Sequence, residues 1–393
     1  MFESMVAPAK DAILSLMAIV NADTREDIIN LTVGVYRDDS GATPVLNAVR
    51  EAEKRLVMEQ ETKSYKGLVG DPGFSEYICQ LVLGDNISTD KIAMSQTPGG
   101  SGALRVLSEL IRIDQPDVTL WLSDPTWANH HPLLGSVGLK RKVYPYFDIS
   151  NQSVRFEDLL ASVEEMQAGE VMVLHGCCHN PTGCDLSSEQ WTTLADIIAS
   201  RGVVPLIDLA YHGLGDGLEA DVAGVRCVAA KVPVAMISVS CSKNFGVYRD
   251  RVGCAIVTTP AARMAQNITA QLGAIARTLY SMPPDHGASV IKMILGDDEL
   301  RSNWINELIS MQSRVQRLRA SLAASLVRQS GDSSWDFIVR QKGMFSLLGT
   351  SDHGIEQLRD DHAVYLVGGG RINIAGLRDQ QIDRLAAALI AVS

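Results

Sequence analysis

The stretch Met236-Ile-Ser-Val-Ser-Cys-Ser-Lys-Asn-Phe-Gly-Val-Tyr-Arg-Asp-Arg-Val-Gly-Cys254 decides how the chain is read. Met236 to Val239 is a short apolar run rich in β-branched residues, the pattern of a buried strand. It leads into Ser240, Ser242 and Lys243, then Gly246, then Arg251, before a second strand-like run from Val252 to Val257. A lysine at the end of a buried strand sits badly in a core. Burial lowers the pKa of its ammonium and leaves a nucleophilic amine, which is what a Schiff-base lysine needs. Taken alone, a strand-end lysine ordinarily reaches solvent. Its company decides.

Working outward, strands and helices alternate. Strands are expected at Val118–Leu122, Val171–Leu174 and Val203–Ile207, with helices at Phe156–Val163, Ser188–Ser200 and Val225–Lys231 between and after them. Such alternation implies a mainly parallel sheet with crossover helices. Upstream, helices are expected at Pro44–Met58 and Phe74–Leu83, and the turn Thr97-Pro-Gly-Gly-Ser-Gly102 opens a helix over Ala103–Ile111. After Thr259 the chain turns helical, at Ala261–Leu279 and again over Glu299–Gln329. Asp336–Leu348 and Ala363–Val367 read as strands of a smaller α+β unit, and Gln380–Ala391 as the last helix. This divides the chain into an arm (1–40), a large domain (41–310) and a small C-terminal domain (311–393), with the arm returning to the small one.

Asn180, Asp208 and Lys243 are each expected just past the C-terminal end of a strand, the edge at which open α/β sheets bind ligands. Asp208 follows the apolar run Val203–Ile207, and a buried carboxylate needs a cationic partner. A protonated pyridine nitrogen is one such partner. Tyr211 and Asn180 could meet a ring oxygen, and Trp127 could stack on a planar ring. Gly99, Gly100 and Ser101 before a helix offer free N–H groups and a hydroxyl, which suit a phosphate; the plainer alternative is a glycine turn with Ser101 as N-cap. Arg251 could complete the cradle through its fork, and Arg277 and Arg371 could each clamp a carboxylate.

The totals exclude some classes. The chain has 393 residues, a formal charge of −11 and 46% hydrophobic residues. An acidic balance argues against nucleic acid as a partner. Ile13–Val20 is too short to span a membrane and lacks signal-peptide flanks, so no membrane partner is expected. Seven cysteines without a framework suggest reduced thiols and a cytoplasmic location. His175-Gly-Cys-Cys-His179 invites a metal, since thiolates and imidazoles ligate zinc. However, neighbours on an extended chain point to opposite faces, and no metal is expected.

In this order, Pro98-Gly-Gly-Ser-Gly-Ala-Leu-Arg-Val106, His175-Gly-Cys-Cys-His-Asn-Pro-Thr-Gly183, Ser242-Lys-Asn-Phe-Gly246 and Pro283-Pro-Asp-His-Gly-Ala-Ser289 resemble the aspartate/aromatic aminotransferases, fold type I pyridoxal phosphate enzymes. The resemblance runs from Met1-Phe-Glu and Val33-Gly-Val-Tyr36 to Gly370-Arg-Ile-Asn-Ile-Ala-Gly376. It implies an α/β fold: a large domain with a mainly parallel seven-stranded sheet between helices, plus a smaller α+β domain. It also implies ping-pong transamination through an internal aldimine on Lys243, with aspartate, glutamate or aromatic donors and 2-oxoglutarate. Asp208 would face the ring nitrogen of pyridoxal 5'-phosphate, Tyr211 and Asn180 its ring oxygen, and Trp127 its ring face. Gly100, Ser101, Ser240, Ser242 and Arg251 would hold the phosphate, joined by Tyr65 from a second subunit of a homodimer. Gly34, Trp127, Asn180 and Arg371 would meet the substrate, and Arg277 of the second subunit its distal carboxylate. His130 and His175 would lie behind Asp208.

Ser101, His212, Lys66 and Asp285 depart from the family's usual residues; none removes a catalytic group, and His212, Lys66 and Asp285 bear on substrate preference, leaving an unusual amino acid open. Two other readings share the fold. One is a decarboxylase or β-lyase, against which the pair Arg277 and Arg371 argues. The other is a non-catalytic binding protein, against which the set Lys243, Asp208 and Arg251 argues.

Overall fold

The alternating apolar runs become neighbours in one sheet. In the computed structural model, which describes residues 1–7, 12–85 and 87–392, seven strands form it. These are β1 (Ile92–Pro98), β2 (Thr119–Asp124), β3 (Lys140–Pro145), β4 (Val171–His175), β5 (Val204–Leu209), β6 (Ala235–Ser240) and β7 (Val252–Thr258). Their spatial order is β1-β7-β6-β5-β4-β2-β3. Pairing is parallel from β6 through β5, β4 and β2 to β3, whereas β7 runs antiparallel to both β6 and β1. Every residue of β6 and of β7 is buried, as expected of strands covered by helices on both faces.

Two strands were not legible beforehand. In β1 the buried residues include Ser95, Gln96 and Thr97, so no apolar run announces it. In β3 the lysines and arginine of Lys140-Arg-Lys142 are exposed, the charge pattern that protects an edge strand. The other strands begin within a residue of their expected starts.

Helix ends follow local chemistry. Ser188–Arg201 is opened by a capping box between Ser187 and Gln190 and closed by Gly202 in the left-handed region. The helix after the glycine turn is longer than expected, Gly99–Asp114, and it packs across β6 and β7. Ser101 therefore lies in its first turn and is not the N-cap.

The region Glu299–Gln329 is one unbroken helix, Asp298–Ser330, of 33 residues and about 50 Å by its rise per residue. Asp297 caps its start through the Leu300 N–H at 2.9 Å, and Gly331 ends it in the left-handed region. Its buried stripe, including Leu300, Trp304, Leu308, Met311, Val315, Leu318, Leu322 and Leu326, repeats at helical spacing. The stripe packs against Asn47–Glu59 and His286–Gly296 near one end and Ile382–Ala391 near the other. Position 310 falls inside this helix.

The strand expected over Asp336–Leu348 is not formed. A 3-10 turn (Ser333–Asp336), a short helix (Phe337–Arg340) and a three-residue strand (Phe345–Leu347) take its place. The cause is Arg319, which is buried and donates to the carbonyls of Ile338, Lys342, Gly343 and Phe345 and to Ser346 Oγ. The chain wraps a guanidinium instead of running straight. Phe345–Leu347 pairs antiparallel with Arg371–Asn373, setting Leu347 opposite Arg371. Of the run Ile29–Val35, only Ile29–Asn30 is strand, and it pairs in parallel with Val364–Tyr365. Among the described residues no helix is long and apolar enough to cross a membrane.

Candidate active site

Lys243 lies three residues beyond β6, in a turn that Gly246 completes with φ +68°. Its side chain is directed into a cavity of about 230 Å³ at the C-terminal edge of the parallel strands. Gly34, Gly100, Ser101, Trp127, His175, Asn180, Asp208, Tyr211, Ser240, Ser242 and Arg251 line the same cavity. A larger groove of about 760 Å³, between residues 149–152 and 330–351, contains none of these groups.

Burial lowers the Lys243 amine to about 8, with Asp208 opposing that shift and Arg251 adding to it. The amine lies 4.7 Å from the centre of the Tyr211 ring. Burial raises the Tyr211 phenol, whose oxygen accepts a hydrogen bond from Asn180 Nδ2 at 3.2 Å.

Asp208 does not follow its strand, as expected, but belongs to β5, paired opposite His175 of β4 and Ser238 of β6. Burial alone would push its carboxyl up. The hydrogen bond and charge of His130, with His175 and Lys243, hold it below its ordinary value instead. His130 Nε2 stands 3.0 Å from Asp208 Oδ2, and because a carboxylate can only accept, the imidazole donates. His130 Nδ1 is 2.8 Å from Thr126 Oγ1, which is 3.1 Å from His175 Nε2. Burial holds His175 well below its usual range, hence neutral. Asp208 thus ends a fixed chain of donors, a device that holds a carboxylate in one orientation.

The other end of the cavity is built for an anion. The first turn of Gly99–Asp114 leaves backbone N–H groups without helical partners, facing Ser240, Ser242 and Arg251. Arg251 itself takes φ +56° and donates to Ser242 Oγ at 3.4 Å and to the Tyr248 carbonyl at 3.2 Å. A Cβ on Gly99, where φ is +72°, would come within 2.6 Å of the Arg251 guanidinium, and one on Gly100 within 2.9 Å of Ser240 Cβ. Only glycine keeps this cradle open.

Arg371 is buried in the strand opposite Phe345–Leu347 and reaches Asn180 Oδ1 at 3.4 Å and the Thr32 carbonyl at 2.7 Å. Its guanidinium lies 4.6 Å from the Phe345 ring centre, and its buried Nε has no hydrogen-bond partner among the described residues. Gly34 is pinned under the same ring, since a Cβ there would meet Phe345 Cζ at 2.8 Å.

Four expected residues are not among those that line the cavity: His130 and Arg371, whose bonds are given above, and Tyr65 and Arg277. Tyr65 is 92% exposed, and Arg277 is exposed and donates to Ser281 Oγ at 2.6 Å. Of the four departures, Ser101 lines the cavity and His212, Lys66 and Asp285 do not. His212 is buried and bonded to the Leu218 carbonyl, with burial lowering it to about 4. Lys66 pairs with Asp71 at 3.5 Å, and Asp285 accepts from Ser289 at 3.0 Å.

The geometric argument against a metal at Cys177 and Cys178 needs correction. Cys178 has φ +52°, so the chain is not extended there, and both sulfurs come within 4.8 Å of each other and of an Asp221 oxygen. The Asp221 carboxylate already accepts the N–H groups of Gly213, Gly215 and Asp216. Burial raises it to about 6, and the Cys178 hydrogen bond with burial raises the Cys177 thiol. Protonated thiols are poor ligands, so the cluster reads as a packed polar joint.

Tyr248 and Thr126 went unnoticed in the sequence. Tyr248 lines the cavity, and its hydroxyl accepts the Tyr36 N–H at 3.0 Å. Its place five residues after Lys243 was the available signal.

The sequence model of the family described as Aminotransferase class I and II matches residues 26–389. The chain belongs to this family. As an aminotransferase it is 42% identical over 392 residues to an aromatic-amino-acid aminotransferase of Paracoccus denitrificans, covering 100% of both chains. It is 40% identical over 395 residues to an aspartate aminotransferase of Escherichia coli strain K12, again covering 100% of both. A solved aromatic-amino-acid aminotransferase from Burkholderia pseudomallei, described as covalently bound to pyridoxal phosphate, superposes with a TM-score of 0.96. That structure is 36% identical, with 100% of this aminotransferase and 99% of that chain covered.

Proposed function

We propose that this aminotransferase exchanges the amino group of aspartate, glutamate and aromatic L-amino acids with 2-oxoglutarate, in two half-reactions, using pyridoxal 5'-phosphate. The observation that carries this reading is a desolvated amine, Lys243, set between a carboxylate held ionised and an anion cradle. The donor set fits the cofactor end to end. Gly100, Ser101, Ser240, Ser242 and Arg251 would hold its phosphate, Trp127 its ring face, Asn180 and Tyr211 its ring oxygen, and Asp208 its ring nitrogen. Pyridoxal phosphate supplies, when bound, an aldehyde for the amino group and an electron-withdrawing ring that acidifies the donor's α-carbon.

The chain's own residues do the rest. With a pKa of about 8, roughly a tenth of Lys243 is free base at pH 7, against about one part in 2,500 for an ordinary lysine. Lys243 Nζ is the group that takes up and returns the α-proton. Asp208, oriented by His130 and never free to rotate, supplies a fixed negative charge. Arg371 takes the α-carboxylate through its fork, its Nε being left without a partner among the described residues.

The distal carboxylate needs a cation beyond Lys243, Arg251 and Arg371, and among the described residues the cavity lining supplies none. Arg277 and Tyr65 would come from a second copy of the chain, giving a homodimer with shared sites. Exposed Val57, Met58 and Leu68 near Tyr65 support an apolar contact there. A cytoplasmic location fits its seven free cysteines.

The test is a donor panel on purified protein: aspartate, glutamate, tyrosine, phenylalanine and tryptophan, each with 2-oxoglutarate, assayed for the new 2-oxo acid. Exchange with aspartate and aromatic donors is expected; release of carbon dioxide or pyruvate instead would overturn the reading. Arg277→Ala should lower kcat/KM for aspartate about 10²-fold, the worth of a charged hydrogen-bonded pair, and change phenylalanine far less. Co-expressing Arg277→Ala with Lys243→Ala should restore about a quarter of wild-type activity, because half of randomly assorted dimers are hybrids with one intact site. No restoration would mean that Arg277 serves its own chain's site.

A further inference from the structure

Trp304 is fully buried on the long helix Asp298–Ser330 and is not among the residues that line the cavity. Its indole N–H nevertheless donates to the backbone carbonyl of Asn244 at 2.8 Å, one residue from Lys243. Its ring is stacked on Phe245, with centroids 4.4 Å apart and planes 1° from parallel. Phe245 is also fully buried. The two residues that follow Lys243 are therefore held by one side chain from another element, by a hydrogen bond at the first and a ring face at the second.

Where the turn begins, the Cys241 N–H donates to the Val252 carbonyl at 3.0 Å; nearer Lys243 the backbone bonds are longer and local. Ser242 N–H reaches Ser240 Oγ at 3.3 Å, Phe245 N–H the Cys241 carbonyl at 3.4 Å, and Gly246 N–H the Lys243 carbonyl at 3.2 Å. A buried carbonyl that loses its donor is costly, so the Asn244 carbonyl would turn to find another partner and take the Lys243 backbone with it.

The same helix governs the substrate-facing arginine. Fifteen residues beyond Trp304, about 22 Å along the axis, Arg319 grips the carbonyls around Phe345. The strand Phe345–Leu347 is paired with the strand that begins at Arg371. One rigid rod thus touches the backbone beside Lys243 at one point and the support of Arg371 at another.

We propose that Trp304 is a positioning residue for Lys243, its indole N–H fixing the lysine's turn to the helix that also sets Arg371. This deepens the reading of the preceding subsection and rests on it. The general physics is that misplacing a reacting group by about 1 Å can cost about 10²-fold in rate, so a bond that holds a backbone carbonyl can matter without touching substrate.

The test measures the Lys243 amine itself, in full-length protein stripped of cofactor, by competitive acetylation across pH with peptide-level mass spectrometry. The wild type should titrate near 8, where burial places it. Trp304→Phe keeps an aromatic ring against Phe245 and deletes the N–H. Its Lys243 midpoint should rise by about half a unit or more, because a loosened turn lets water reach the ammonium. In the loaded enzyme kcat should fall about tenfold, with little change in donor KM. Trp121→Phe is the control: it also deletes an indole bond, the one to Glu170 at 2.8 Å, and should leave the Lys243 midpoint where it was. If Trp304→Phe does not fold, benzothienylalanine at position 304, which keeps the bicyclic shape and lacks the N–H, takes its place. An unmoved midpoint in the position-304 variant, or an equal shift in Trp121→Phe, overturns the proposal. The labelling needs no turnover, so a failed donor panel on the wild type would count against the reaction and leave this result standing.

Discussion

Lys243→Ala is expected to abolish transamination while the protein still folds and still binds an anion in the cavity. The side chain removed is the amine that, on the proposed reading, would both hold the cofactor and move the proton, so no neighbour would replace it. Asn180, Tyr211, Ser240, Ser242 and Arg251 line the cavity with it, and none carries an amine. By comparison with removal of a nucleophile or base elsewhere, the loss should exceed about 10⁵-fold in kcat. The fold should survive because the change deletes a desolvated ammonium along with its stem, and the cost of burying that charge disappears with it. Turnover is measured with aspartate or tyrosine and 2-oxoglutarate, beside a thermal melt. Wild-type turnover in this variant would remove the central claim.

Asp208→Asn should give the next largest effect. The substitution keeps size and an oxygen for the His130 N–H, 3.0 Å away, while deleting the negative charge. Two consequences follow, and they can be measured separately. The ring nitrogen would lose its counter-ion, and kcat should fall about 10³-fold, the scale of removing one preorganised electrostatic group. Lys243 would lose the neighbour that stabilises its ammonium. Asp208 raises the amine's pKa, so its removal should bring the amine below about 8. A slower enzyme with a more basic lysine would contradict the assigned geometry.

These groups were legible because each sits in a short local pattern. Lys243 follows an apolar run, Asp208 ends one, and Gly99-Gly100-Ser101 opens a helix. Pattern could not place Asp208 inside β5 rather than beyond it, since strand ends depend on which neighbour supplies hydrogen bonds. Here the Gly176 N–H, just past β4, donates to the Asp208 carbonyl at 2.8 Å, and Asp208 pairs opposite His175 of β4 and Ser238 of β6. β1 and β3 escaped notice for related reasons: polar residues buried by an adjoining helix look like loop, and a charged edge looks like surface. Arg319 defeated the strand expected over Asp336–Leu348 from at least 19 residues away in sequence, a contact no local window contains. Likewise Thr126, Tyr248 and Trp304 act through partners far along the chain. The thiol pair was misjudged because one residue, Cys178, takes a left-handed conformation that its side chain does not advertise.

The helix Asp298–Ser330 crosses the point where composition suggested a boundary, and its buried stripe continues on both sides of it. Its first half is covered by helices of the sheet-bearing part and its second half by the C-terminal helix. Neither part can lose its packing without stripping one flank of the same rod. Urea unfolding should therefore pass through a single cooperative transition rather than two. A fragment ending at residue 310 should emerge as a sticky, partly ordered chain, because its helix would stop short of the partners that stabilise it.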